Sequence, residues 1–61
     1  MKKIEITYVD GDIDSLKEHS VGSAEYDSMS GMWDFSVDHG FVIASIMIDD
    51  GDLLAVYADK L

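Results

Sequence analysis

The sequence predicts a small α+β domain, an antiparallel sheet of about five strands in the order β-α-β-β-β-β, with one short helix after the first strand. Three observations carry that expectation. Apolar and polar residues alternate with period two over Lys3–Val9 and again over Met32–Asp38, the pattern of half-buried strands. Phe41–Ile48 is an unbroken run, apolar but for one serine and rich in β-branched side chains, and its length suits a central strand better than a helix. Glycines punctuate the chain at Asp10-Gly11, Ser30-Gly31, His39-Gly40 and Asp50-Gly51, where turns that need positive φ belong.

The elements follow in order. In the first strand Ile4, Ile6 and Tyr8 share one face, and Lys3, Glu5 and Thr7 the other. Asp10-Gly11-Asp12 breaks it. Residues 13–20 suit one to two helical turns. Ile13 and Leu16 share a helical face, Ser15 and Glu18 have capping-box spacing, and Gly22 is placed to end the helix. Ala24–Met29 is a weaker strand with a polar outer face. In Met32–Asp38, Trp33, Phe35 and Val37 alternate with Asp34, Ser36 and Asp38. Asp49-Asp50-Gly51-Asp52 has the chemistry of a type I′ hairpin turn, and Leu53–Ala58 closes the sheet. The expected arrangement is a four-strand meander after the helix, with the first strand at one edge. Tyr8, Leu16, Trp33, Phe35, Ile46 and Ile48 are the expected core beneath the helix. Phe41, Ile43, Met47, Leu53 and Tyr57 fall on the second face, either as an exposed patch or buried by strong sheet curvature.

A chain of 61 residues has room for one core, so residues 1–61 are read as a single domain. No stretch approaches the roughly 20 apolar residues of a membrane span. Met-Lys-Lys leads into a strand pattern rather than an apolar leader. There is no cysteine for a disulfide, a zinc–thiolate site or a thiol nucleophile. A cytoplasmic location is expected, with no membrane partner. Hydrophobic residues make up 48% of the chain, and proline, asparagine and glutamine are absent, which separates it from a disordered acidic tail.

Charge is the dominant feature. Thirteen acids face four lysines and no arginine, for a net charge of −9. Between Glu18 and Asp59 there is no lysine or arginine, yet Glu25, Asp27, Asp34, Asp38, Asp49, Asp50 and Asp52 lie inside that span. Those carboxylates must face water, backbone N–H groups, a metal or a cationic partner. Most of the acids are aspartates, which favour turns and strand ends.

Catalytic and ligand-binding patterns are weak. His19 and His39 lack a nucleophile-elbow serine motif, and so small a chain has little room for a preorganised cleft. Asp10, Asp12 and Asp14 match the first, third and fifth positions of an EF-hand loop, but Ser15 and Val21 stand where glycine and glutamate are needed. No specific metal site and no other cofactor is expected, and weak divalent-ion binding at Asp10, Asp12 and Asp14 or at Asp49, Asp50 and Asp52 is a third reading beside the two given below. Direct nucleic-acid binding is opposed by the charge, because such affinity rests on lysine and arginine neutralising phosphates. The acids themselves remain as the binding feature. Asp34, Ser36 and Asp38 on one strand face, and Asp49, Asp50 and Asp52 in a turn, form rows that approximate phosphate spacing to within a few ångströms.

A strand-rich, cysteine-free chain of this length, with Asp34-x-x-x-Asp38 and the Asp49-Asp50-Gly51-Asp52 turn, resembles the small phage-encoded inhibitors that act as DNA mimics. Some anti-CRISPR proteins and uracil-DNA glycosylase inhibitors are of this kind. The resemblance covers the whole chain but rests on size, charge and strand content, with no diagnostic motif. It implies a non-enzymatic inhibitor, acting in the host bacterial cytoplasm, that occupies the nucleic-acid channel of a basic protein or complex such as a CRISPR effector. The expected partner-binding residues are Glu25, Asp27, Asp34, Asp38, Asp49, Asp50 and Asp52. The alternative is a structural module that forms a homodimer through an exposed apolar sheet face around Phe41, Ile43 and Tyr57.

Overall fold

The computed structural model describes residues 2–61. It consists of five strands: β1 (Lys3–Asp12), β2 (Ser15–Asp27), β3 (Met32–Val37), β4 (Phe41–Asp49) and β5 (Asp52–Lys60). They form one sheet in the order β3-β2-β1-β5-β4. Neighbours are antiparallel except β1 and β5, which run parallel over Ile6–Tyr8 and Val56–Ala58. The expected α+β class is therefore corrected. Among the described residues there is no helix, the sheet is mixed, and the first strand lies at its centre.

The segment read as a helix is instead the start of β2. Ile13 and Asp14 form the turn of the β1–β2 hairpin, and pairing runs from Asp12↔Ser15 to Lys3↔Glu25. Eight residues are too few to repay helix nucleation in isolation, whereas every residue zipped onto β1 adds to a ladder. Leu16, half of the expected apolar helix face, is 62% exposed. Gly22 ends no helix. It sits mid-strand between Ile6 and Val37, where a Cβ would overlap the Ser36 carbonyl and come within 2.8 Å of the Val37 Cα. Only glycine lets β3 approach β2 there.

The short β3–β4 connection explains the curl of the sheet. Asp38, His39 and Gly40 join the two opposite edges. In a flat five-stranded sheet those edges lie about 19 Å apart, while Val37 to Phe41 spans at most about 15 Å. The sheet must bend into a half-barrel. Three backbone bonds anchor the connection: Asp38 N–H to the Val21 carbonyl (2.7 Å), Phe41 N–H to the Asp38 carbonyl (3.2 Å) and Leu61 N–H to the Gly40 carbonyl (2.9 Å). Val21 is the extra residue of a bulge against β1, which frees its carbonyl for this bond.

Ile6, Val21, Ala24, Leu53, Val56 and Ala58 are buried, and Ile4, Tyr8, Trp33, Val37, Phe41 and Ile43 pack against them. The expected core is corrected in part. Tyr8 and Trp33 belong to it, but Leu16, Phe35, Ile46 and Ile48 are exposed. Leu53 is buried rather than on the second face, and Phe41 and Ile43 also pack inward. Two irregularities put Phe41 and Ile43 on the same face as Ile46 and Ile48 and turn Leu53 inward. The β4–β5 register skips Ala44 and Leu54, so each strand switches the phase of its alternation partway along. The Asp49–Asp52 turn is as expected, with φ of 50° at Asp50 and 80° at Gly51, both positive as type I′ requires.

Candidate functional site

Every acidic side chain of the chain is exposed, and strand geometry sorts the seven expected binding residues into separate groups. Glu25 and Asp34 pair directly across β2 and β3. They project on the outer face, because Ala24 and Trp33, their neighbours along the two strands, belong to the core side. Directly opposed side chains lie about 4.5–5.5 Å apart at Cβ, and like charges so placed repel. Lys3, opposite Glu25 on β1, brings its Nζ to 3.9 Å of the Glu25 carboxylate. Asp34 has no cation within ion-pair distance among the described residues.

Asp38 does not extend this row as expected. β3 ends at Val37, and Asp38 turns into the connection. Ser36 does share the face of Asp34, opposite Ser23. Asp27 is committed to its own loop. Its carboxylate accepts the Met29 N–H at 3.0 Å and the Ser30 hydroxyl at 3.1 Å, and its carbonyl accepts the Gly31 N–H at 2.8 Å. This is an Asx-type turn, legible from Asp followed by Ser-Met-Ser-Gly and missed when Asp27 is grouped with free carboxylates.

Asp49, Asp50 and Asp52 form the tip of the β4–β5 hairpin, with Asp49 opposite Asp52. Asp52 is paired with Lys2, Nζ to Oδ1 3.0 Å. Lys2 also lies 5.7 Å from the centre of the Tyr26 ring, and Tyr26 packs on Trp33 with centroids 5.4 Å apart. One lysine thus links the hairpin of β5 to the aromatic pair on β2 and β3. Local sequence holds no signal for this contact, since it depends on the parallel pairing of β1 with β5. Lys2, Lys3 and Asp52, with Ile4, Trp33 and Leu53, line an open depression of about 470 Å³. Each of its two lysines already faces an acid, Lys2 on Asp52 and Lys3 on Glu25.

The acids that cluster fall into two groups, Glu25 and Asp34 on the outer face of β2 and β3 and Asp49, Asp50 and Asp52 at the β4–β5 hairpin tip, and Lys2 reaches from Asp52 of the tip to the Tyr26 ring on β2. Among the described residues no group of three or more histidine, aspartate or glutamate side chains is arranged to hold a metal ion. His19 stacks against Tyr8, centroids 6.2 Å apart, and belongs to neither surface. No helix among the described residues is long and apolar enough to cross a membrane. Comparison with family models, with curated proteins and with solved structures finds no match to this chain.

Proposed function

We propose that this chain is a non-enzymatic inhibitor of a basic nucleic-acid-binding protein or complex, which it engages by presenting carboxylates where DNA presents phosphates. The observation that carries the reading is the opposed pair Glu25 and Asp34 on the outer face. Holding like charges opposite each other costs stability in the free protein, and a cationic partner relieves that cost on binding. Supporting it, every acid is exposed, and among the described residues only Glu25 and Asp52 meet a lysine. Asp34, Asp38, Asp49 and Asp50 are the residues available to arginine or lysine of the target. Glu25 and Asp52 join them by exchanging an exposed lysine pair, which is worth little. Asp27 contributes charge but not a free carboxylate.

The test is capture from bacterial lysate at low salt, elution with rising sodium chloride, and assay of the recovered complex for DNA binding with and without the inhibitor. One complex released by salt and displaced by its own DNA supports the reading. Reversing Glu25 and Asp34 together to lysine is expected to abolish inhibition with the fold intact by circular dichroism. Inhibition that survives the double reversal sinks the proposal. A second reading, self-association as a structural module, is favoured by the exposed residues of β4. It is not favoured around Phe41 and Ile43, which pack on the core.

A further inference from the structure

β4 forms one ladder, to β5, and lies at the edge of the sheet. Apart from that ladder, among the described residues, one β4 backbone group is engaged, the Phe41 N–H. The remaining edge offers unpaired N–H and C=O groups, a template for another strand. Natural edges are guarded by lysine, proline, a central charge or short length. β4 has nine residues, no lysine and no proline, and its one charge, Asp49, is its last residue. Val42, Ile46, Met47 and Ile48 are exposed along it.

The side-chain pattern selects the strand that fits. In antiparallel addition each cross-strand pair must share a face. The register with β5 puts Ile43 beside Ala58 and Ile46 beside Val56, on the inner face with Phe41 and Ile48. Val42, Ser45 and Met47 alternate with them on the outer face, and Ala44 is the extra residue. This order reads alike from both ends. Two copies of β4, set antiparallel about a two-fold axis between Ala44 and Ser45, match Phe41 with Ile48, Val42 with Met47 and Ile43 with Ile46. Inner meets inner and outer meets outer. No acid faces an acid, since Asp49 lies opposite Gly40 of the second copy.

We propose that the free edge of β4 is a docking site for a second copy of this chain, joined through antiparallel β4–β4 pairing into a two-fold, ten-stranded sheet. A basic strand from another protein would find only Asp49 to read along this edge. A neutral strand with matching faces fits it, and β4 is that strand. Each copy carries a charge of −9, so the dimer tightens as salt screens their repulsion. Target binding by charge mimicry weakens with salt, so the two proposals fail separately.

The test is sedimentation equilibrium of the full chain at low salt and at roughly 1 M sodium chloride, where the Debye length is about 3 Å. A species of twice 6.7 kDa is expected, forming at lower protein concentration in high salt. Met47→Lys, which puts a lysine on the edge, is expected to return the monomer, whereas Leu54→Lys on β5 leaves the dimer. The native chain has no cysteine, so the double variant Val42→Cys with Met47→Cys reads the register by oxidation. Within one chain these positions lie about 16 Å apart, too far for a disulfide, so a cross-linked dimer without free thiols is expected. A monomer at every salt and concentration, a dimer that persists in Met47→Lys, open polymers, or thiols that stay free in the dimer each overturn the proposal. If Met47→Lys fails to fold, the cysteine pair decides alone.

Discussion

β3 and β4 end the same sheet, yet β3 has six residues with Asp34 near its middle, while β4 has nine and no charge before Asp49. A strand approaching β3 meets a carboxylate backed by a second one, Glu25, on β2. A strand approaching β4 meets isoleucine, methionine and unpaired backbone. The contrast assigns two jobs to the acids. On β3 the charges discourage strand addition, and on the proposed reading they are also the surface offered to a cationic partner. β4 has neither property and is left open to a neutral partner. An overall charge of −9 describes neither edge by itself.

The largest expected effect comes from the contact that both edges share. β1–β3 and β4–β5 are joined by the short parallel pairing of β1 with β5, and Ile6, fully buried, stands at its start. Ile6→Ala is expected to cost about 2–5 kcal/mol, comparable to the whole stability of so small a domain. Urea denaturation checks it, with Ile6→Val, costing about 0.5–1.5 kcal/mol, as the milder case. A loss under about 1 kcal/mol for the alanine variant would mean that the two halves do not depend on one core.

Gly22→Ala separates the edges. Its Cβ would press on the Ser36 carbonyl and on the Val37 Cα at 2.8 Å, backbone atoms that cannot swing aside. Overpacking of this kind costs about 1–3 kcal/mol, and 1 kcal/mol corresponds to roughly 4–8 °C in Tm for a domain of this size. Hydrogen exchange is expected to show β3 amides losing protection before those paired between β4 and β5. Equal loss in both would make the sheet a single cooperative unit, with no independent edge.

The local part of this fold was legible from sequence. The alternation of Lys3–Val9 and Met32–Asp38, the run Phe41–Ile48 and the Asp50-Gly51 turn mark β1, β3, β4 and the last hairpin, because each signal is contained in a few residues. What was not legible depends on partners distant in sequence. Residues 13–20 carry capping and helical spacing, but β1 supplies a ladder that a single turn of helix cannot match. The placement of β1 at the centre rests on its parallel pairing with β5, for which adjacent residues hold no code. The inward residues of β4 and β5 were misassigned because the skips at Ala44 and Leu54 shift the phase of an otherwise regular pattern. For the candidate site, the exposure of the acids was legible from composition, as was their concentration at turns. Their grouping on the β2–β3 outer face and at the β4–β5 hairpin tip was not, since it follows from which strands pair.

The smallest expected effect carries the most direct information about the acidic edge. Asp34→Lys replaces a like-charge pair across β2 and β3 with an opposite-charge pair facing Glu25. Cross-strand pairs are worth about 0.2–1 kcal/mol, so the variant is expected to be slightly more stable than the native protein. Salt gives the internal check. Raising sodium chloride screens the Glu25–Asp34 repulsion in the native chain, so its Tm is expected to rise with salt, and to rise less in Asp34→Lys. A rise in stability coupled to weaker binding of the target is the signature of a surface kept strained for recognition. A variant that loses stability instead would show that Asp34 is held by contacts other than charge, and the acidic edge would have to be explained as a structural feature of β3.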